Sequence, residues 1–300
     1  MSGSQDEIPL WLPILTNQDY RGRVRRGGTL QRLCLELLRG REDDPDGLPT
    51  STRFLFYELV QSGAIEKHGD GARRADQGVI DAVFHLREIG LIPWEWIVDE
   101  TRSLDSWRSA ATVAGYLTQS VRYARIDPWE SNPPMILTES RSLAGTLRNI
   151  SQEYLVPIAS TNGQCGGFLR TEVGPRLSDS SRVLYLGDFD WQGGQIERNT
   201  RIVLEQIVGD ELDWERLAIT AEQVDDMQLT AIRKEDRRYK PDDPRRFHDA
   251  VETEALGQSE IVRIVREHLD GLLPEPLEDV QEREAAQREE MTEWLSRRDR

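Results

Sequence analysis

The chain has 300 residues and a mass of 34.4 kDa, enough for two compact domains with cores of their own. Its 38 basic and 54 acidic side chains give a formal net charge of −16, which argues against a uniformly cationic nucleic-acid binder. No run of 18 apolar residues exists, Met1–Glu7 lacks a basic signal-peptide start, and the isolated Cys34 and Cys165 exclude a disulfide framework or zinc knuckle, so a cytoplasmic globular protein is expected.

The charge is unevenly spread. Residues 1–130 hold 16 basic and 20 acidic side chains, whereas residues 131–300 hold 22 and 34. Residues 1–26 read as an arm that ends in the cationic Arg21–Arg26 stretch. Leu30, Leu33, Leu35, Leu37 and Leu38 predict an amphipathic helix over 29–38, stopped by Gly40. An acidic loop follows over 41–49. Ser51 or Thr52 caps a second helix to about Gln61, and Val79, Ile80, Val83, Phe84 and Leu86 mark a third over about 74–89. With the β-prone, aromatic Leu91–Val98, these helices predict a winged-helix domain over 27–130. A further helix is expected over 106–125, and the proline-rich 127–134 reads as a linker.

Beyond the linker, strand patterns at 135–138, 156–160, 182–186 and 214–220 alternate with helical ones at 143–154 and 193–208. That alternation predicts βαβ units and a mainly parallel sheet flanked by helices, an α/β domain over 131–270. Arg233–Arg246 reads as a charged loop, 250–256 as a last strand and 260–269 as a helix. The very charged residues 271–300 read as a solvated helical tail rather than a coiled coil.

Chemistry concentrates in Leu184-Tyr-Leu-Gly-Asp-Phe-Asp-Trp-Gln-Gly-Gly194, an apolar strand that ends in Asp188 and Asp190 and opens a helix. Carboxylates two apart at a strand's end project to one side, at the edge where open α/β sheets bind ligands, and suit Mg²⁺. The competing reading is a pair that caps the helix and turn. Met135-Ile-Leu-Thr-Glu139 repeats the design and delivers Glu139 to the same edge. Glu252 and Glu254 could add a ligand, but the favoured expectation is that they are solvated charges on a strand edge.

Taken together, Glu139, Asp188 and Asp190 over residues 134–256 resemble the Toprim domain shared by topoisomerases, primases and some nucleases. The resemblance implies Glu139 as acid/base or metal ligand and Asp188 and Asp190 as Mg²⁺ ligands. Thr52-Arg-Phe-Leu-Phe-Tyr-Glu58 resembles the Arg-x-x-[Tyr/Phe]-Tyr signature of the topoisomerase VI A subunit and its meiotic double-strand-break relatives, in the form found in bacterial members. Gly90–Arg102 and Arg216–Gln223 are similar to that group as well. Phe56 stands where a second tyrosine often does. The implied activity is Mg²⁺-dependent cleavage of double-stranded DNA by tyrosine transesterification, an isomerase reaction. Tyr57 is then the nucleophile, and Arg53 helps to stabilise the phosphate.

The resemblance further implies a homodimer with a separate GHKL-type ATPase subunit, placed at the nucleoid; no P-loop is present in the chain itself. Two alternatives accompany it. One is a Toprim nuclease of the kind found with SMC-like plasmid-defence complexes, with Tyr57 as packing. The other is a non-catalytic DNA-binding interaction protein. His68 and His85 are expected to be solvated or to lie on a helix face. Trp94, Trp96, Trp107, Trp129 and Trp191 are read as packing residues before base-stacking ones.

Overall fold

The computed structural model describes residues 28–65, 75–98, 106–163, 166–178, 180–209, 211–235, 240, 242–243 and 246–298. The arm with its Arg21–Arg26 stretch, His68, Arg73–Arg74, Arg102 and Cys165 lie outside them. Three helices open the described chain: α1 (Gly28–Arg39), α2 (Thr52–Gln61) and α3 (Gln77–Glu88). In α1, Cys34, Leu35 and Leu38 turn inward at helical spacing. Ser51 caps α2, its hydroxyl accepting from Phe54 N at 3.3 Å. Phe54, Leu55, Phe56, Tyr57 and Leu59 are all buried, so α2 is apolar around its circumference and covered on several sides. Val79, Ala82, Val83 and Leu86 of α3 close this first core, and Ile232 packs on it from far along the chain.

Leu91–Val98, read as β-prone, forms no strand among the described residues. It contains a 3₁₀ turn at Trp94–Trp96 and a single bridge from Ile97 to Thr50. Of the two places expected for His85, solvent or a helix face, it takes the second: it is buried on the inward face of α3. The helix expected over 106–125 is shorter, α4 (Val113–Val121). Trp129, in the proline-rich stretch, packs as expected: it is buried and its indole N–H donates to Tyr154 O at 2.5 Å.

The α/β half is a four-stranded sheet: β1 (Met135–Thr138), β2 (Ile158–Ser160), β3 (Arg182–Leu186) and β4 (Asp213–Ala218). All pairings are parallel and the order is β2-β1-β3-β4. β1 and β3 are central and buried on both faces, which explains why they read as continuous apolar runs. The stretch expected as one helix over 143–154 is two, α5 (Arg141–Thr146) and α6 (Arg148–Tyr154). They pack on one face of the sheet with α9 (Gln258–Leu272). α7 (Trp191–Val208) covers the other through Leu204. Phe54 of α2 belongs to the first of these sheet cores, so the N-terminal helices are seated on the sheet. Truncating a ring buried there costs about 3–5 kcal/mol.

After α8 (Ala221–Asp226), the expected charged loop begins as a strand. β5 (Ile232–Glu235) pairs antiparallel with β6 (Phe247–Ala250). The last strand expected over 250–256 is β6 followed by a 3₁₀ turn, Thr253–Leu256. The tail is helical, α10 (Leu277–Arg298), but it is pinned where Glu284 accepts from Arg125 Nε at 2.9 Å and from Ile126 N at 2.8 Å. No described helix is long and apolar enough to cross a membrane.

Candidate functional site

The sheet order locates the site. From β1 the chain runs out to β2, then crosses back to place β3 on the other side of β1. The carboxyl ends of β1 and β3 therefore flank the point where the winding reverses, the crevice in which open parallel sheets bind ligands. Glu139 follows β1 directly and Asp188 lies just past β3. They meet: Asp188 N donates to Glu139 Oε2 at 3.2 Å.

A second segment arrives from late in the sequence. Phe189 and Val251 form an isolated antiparallel bridge, with Phe189 N donating to Val251 O at 2.8 Å and Val251 N to Phe189 O at 3.1 Å. The bridge lays the 3₁₀ turn beside the end of β3. Thr253 then donates to Asp188 Oδ1 from its backbone N at 3.0 Å and from its hydroxyl at 3.2 Å. Ligand oxygens of Asp188, Glu252 and Glu254 all lie within 4.8 Å of one another. Glu252 and Glu254 are thus buried members of an acidic triad and not solvated edge charges. The reason is non-local: local alternation puts them on an edge, and the Phe189–Val251 bridge folds that edge inward.

Glu254 is held on several sides. Its side chain is 0% exposed, and its Oε1 accepts from the hydroxyls of Ser140 and Ser142, each at 3.0 Å. Arg53 of α2 reaches the same carboxylate, Nε to Oε1 at 2.8 Å, and also pairs with Glu252. Burial alone would lower the Arg53 pKa; the charges of Glu254 and Glu252 override it and raise the pKa well above the ordinary value.

Tyr57, one turn further along α2, is 4% exposed. The Arg53 guanidinium lies 5.6 Å from its ring centroid, and Phe56 packs edge-on at 5.1 Å. Burial first, then the charge of Glu252 and a hydrogen bond to it, raise the Tyr57 pKa well above that of a free phenol, opposed by Arg53. Arg53 and Tyr57, one turn apart on α2, both lie against the acidic triad.

Asp190 has a different place. Its Oδ1 accepts from Gly193 N at 2.6 Å and caps α7, with extended backbone at φ −151°. Gly193 is required by close approach: a Cβ there would lie 2.4 Å from Asp188 O. Arg216 braces the same corner, donating to the carbonyls of Gly187 and Asp188, each at 2.8 Å, and of Ile219 at 2.7 Å.

The donor set suits a hard divalent cation. Three carboxylates converge, Arg53 pairs with two of them, and the cluster keeps a formal excess of negative charge. Glu254 Oε2 is buried and accepts no hydrogen bond from any described residue. Orphaned carboxylate oxygens cost free energy unless a cation or donor meets them. All-oxygen ligation by carboxylates matches Mg²⁺ or Ca²⁺ and not the softer metals.

Compared with family models, with curated proteins and with solved structures, the chain matches none.

Proposed function

We propose that the protein cleaves DNA by Mg²⁺-dependent tyrosine transesterification, in the manner of a topoisomerase VI A subunit, with residues 27–130 as a winged-helix domain and 131–270 as a Toprim domain. The observation that carries this reading is the convergence of Arg53 and Tyr57, from a helix of the N-terminal half, on the acidic triad at the sheet's carboxyl edge. Asp188, Glu252 and Glu254 would hold the cation, with Glu139 beside them. When bound, the cation neutralises charge on the phosphoryl oxygens.

In the reaction the Tyr57 oxygen bonds to phosphorus, one sugar–oxygen bond to phosphorus breaks, and the phenolic proton ends on the departing sugar hydroxyl. Neither water nor ATP is consumed in that exchange. Arg53 is placed to shift from the carboxylates to the incoming phosphate, a planar donor well suited to it. That shift frees Tyr57 from its buried position. Double-stranded DNA is the substrate, a homodimer the working unit, and a GHKL-type ATPase the expected partner.

A second reading keeps the fold and changes the nucleophile: a Toprim nuclease, of the SMC-associated type, that uses metal-activated water. The burial of Tyr57 favours it. Supercoiled plasmid incubated with the protein and Mg²⁺, then denatured, separates the two. Covalent adducts that vanish in Tyr57→Phe support transesterification. Cleavage that persists in Tyr57→Phe and disappears in Glu254→Gln supports the nuclease. No cleavage by the wild-type chain, alone or with its ATPase, refutes both.

A further inference from the structure

We propose that Arg53 holds the place of the divalent cation: its guanidinium and the metal are alternative occupants of Glu252 and Glu254, and Arg53 yields these carboxylates when the cation binds. The exchange rests on the metal site proposed above and gives it an order of events. Arg53 becomes available to a phosphate only after a cation has taken over its two partners.

Two of the three clustered carboxylates already carry a positive charge. Arg53 Nε lies 2.8 Å from Glu254 Oε1, and the same guanidinium pairs with Glu252. Glu254 Oε1 also accepts from the hydroxyls of Ser140 and Ser142, so that oxygen is crowded while Oε2 is left without a donor. Ligand oxygens of Asp188, Glu252 and Glu254 lie within 4.8 Å of one another. A cation held by all three would share two carboxylates with the guanidinium, and like charges that close together in a buried site repel strongly.

Charge, more than directed bonding, keeps Arg53 where it is. Its Nε–H is buried and donates no well-aligned hydrogen bond, in spite of the short contact with Glu254. One donor and one carboxylate oxygen of the same cluster are therefore both poorly served, a costly state for buried polar groups. A spherical cation makes no demand on donor angle and suits converging carboxylates better than a planar fork does.

The side chain has a way out, whereas the helix is fixed. Phe54, the next residue of α2, is seated in the sheet core, and α2 packs on the 3₁₀ turn that carries Glu254. Arg53 itself is 35% exposed. Its departure needs only a swing of one solvent-contacting side chain, with the backbone left in place. The same swing withdraws the guanidinium from the Tyr57 ring, whose centroid is 5.6 Å away. Arrival of the cation is thereby linked to the surroundings of Tyr57.

A brace and a stand-in cation respond in opposite ways to removal. Were Arg53 only a brace for the carboxylates, its loss would loosen the site and weaken metal binding. As a competitor, its loss strengthens binding. Mn²⁺, which takes the same oxygen ligands, is titrated into the metal-stripped full chain in mildly alkaline solution, and the free ion is counted by its electron paramagnetic resonance signal. Arg53→Gln is expected to bind Mn²⁺ about tenfold more tightly than wild type, or better. Arg53→Lys replaces the fork by a single-point contact, so its affinity is expected to fall between the two. It also keeps the comparison open should Arg53→Gln fail to fold, which thermal melting reports.

Equal or weaker Mn²⁺ affinity in every folded Arg53 variant overturns the exchange and leaves the metal site standing. Binding by the variants and not by wild type supports the exchange in its strongest form. Adding Glu254→Gln to Arg53→Gln is expected to remove the gained affinity; a gain that survives lies at another site and overturns the exchange. Absence of binding in every protein overturns the metal site, and the exchange falls with it. No DNA is present and no cleavage is read, so the exchange and the chemistry of Tyr57 are judged separately.

Discussion

Arg53 Nε stands 2.8 Å from Glu254 Oε1, and through this pair a helix of the N-terminal half is fastened to the carboxylates at the edge of the sheet. The pair is asymmetric: the Glu254 side chain is fully buried, whereas Arg53 is 35% exposed. Arg53→Ala leaves Glu252 and Glu254 with less compensation inside the protein. Because the guanidinium is partly solvated, the expected loss is about 2–3 kcal/mol, below the full cost of an uncompensated buried charge. Urea denaturation of wild type and variant measures it. A change under 0.5 kcal/mol would show that water already satisfies the carboxylates (the usual range for a surface substitution is about ±0.5 kcal/mol).

Metal binding at the triad is expected to raise the melting temperature of the native protein. At a free Mg²⁺ concentration of about 100 times the dissociation constant, the gain is about 2.7 kcal/mol, and EDTA reverses it. Asp188→Asn and Glu254→Gln abolish the gain. Asp190→Ala behaves differently, because Asp190 is the cap of α7: it costs about 1 kcal/mol and leaves the Mg²⁺-dependent gain in place. Calorimetric scans with and without Mg²⁺ check all three. Loss of the gain in Asp190→Ala would make Asp190 a ligand.

Adjacent glycines at the start of α7 are expected to respond in opposite directions. At Gly193 a methyl group meets Asp188 O at 2.4 Å, and backbone cannot yield cheaply, so Gly193→Ala costs about 2–3 kcal/mol and removes the Mg²⁺-dependent gain. At Gly194 nothing lies within 4 Å. Gly194→Ala within the helix is neutral or stabilising by up to about 1 kcal/mol. Equal effects of the two variants, read by thermal melting, would contradict the close approach at Asp188.

Alkali supplies a further check. Tyr57, Tyr154 and Tyr185 all have raised pKa values, burial being the first cause in each. The native state holds these protons more tightly than the unfolded chain does. Their contribution is fully present below the ordinary tyrosine value of about 10 and is lost as pH rises above it. Tyrosinate absorbance should therefore show three of the seven tyrosines titrating only as the protein unfolds. For Tyr57, early titration in the native protein would mean that its hydroxyl is already accessible and its burial no barrier to attack.

Much of the scaffold is legible in local pattern. The runs Met135–Thr138 and Arg182–Leu186 are β1 and β3 to the residue, because strands buried on both faces carry an unbroken apolar signal. Glu139 and Asp188 follow from where such strands end. Asp190 was open between ligand and cap, and only the 2.6 Å bond to Gly193 N displays it as the cap. Glu252 and Glu254 were misplaced because their burial depends on a two-residue bridge to Phe189, which leaves no periodic trace. Leu91–Val98 reads as β-prone from its aromatic and β-branched content, but among the described residues its pairing is one bridge to Thr50.

The Phe189–Val251 bridge carries a consequence for the order in which the chain leaves the ribosome. All four strands of the parallel sheet are complete by Ala218, but two of the three clustered carboxylates follow Val251. A nascent or truncated chain ending before that point has a sheet and Asp188, with neither Glu252 nor Glu254 to complete the cluster and no partner for Arg53 among them. The three carboxylates thus cannot come together until residue 254 has been made.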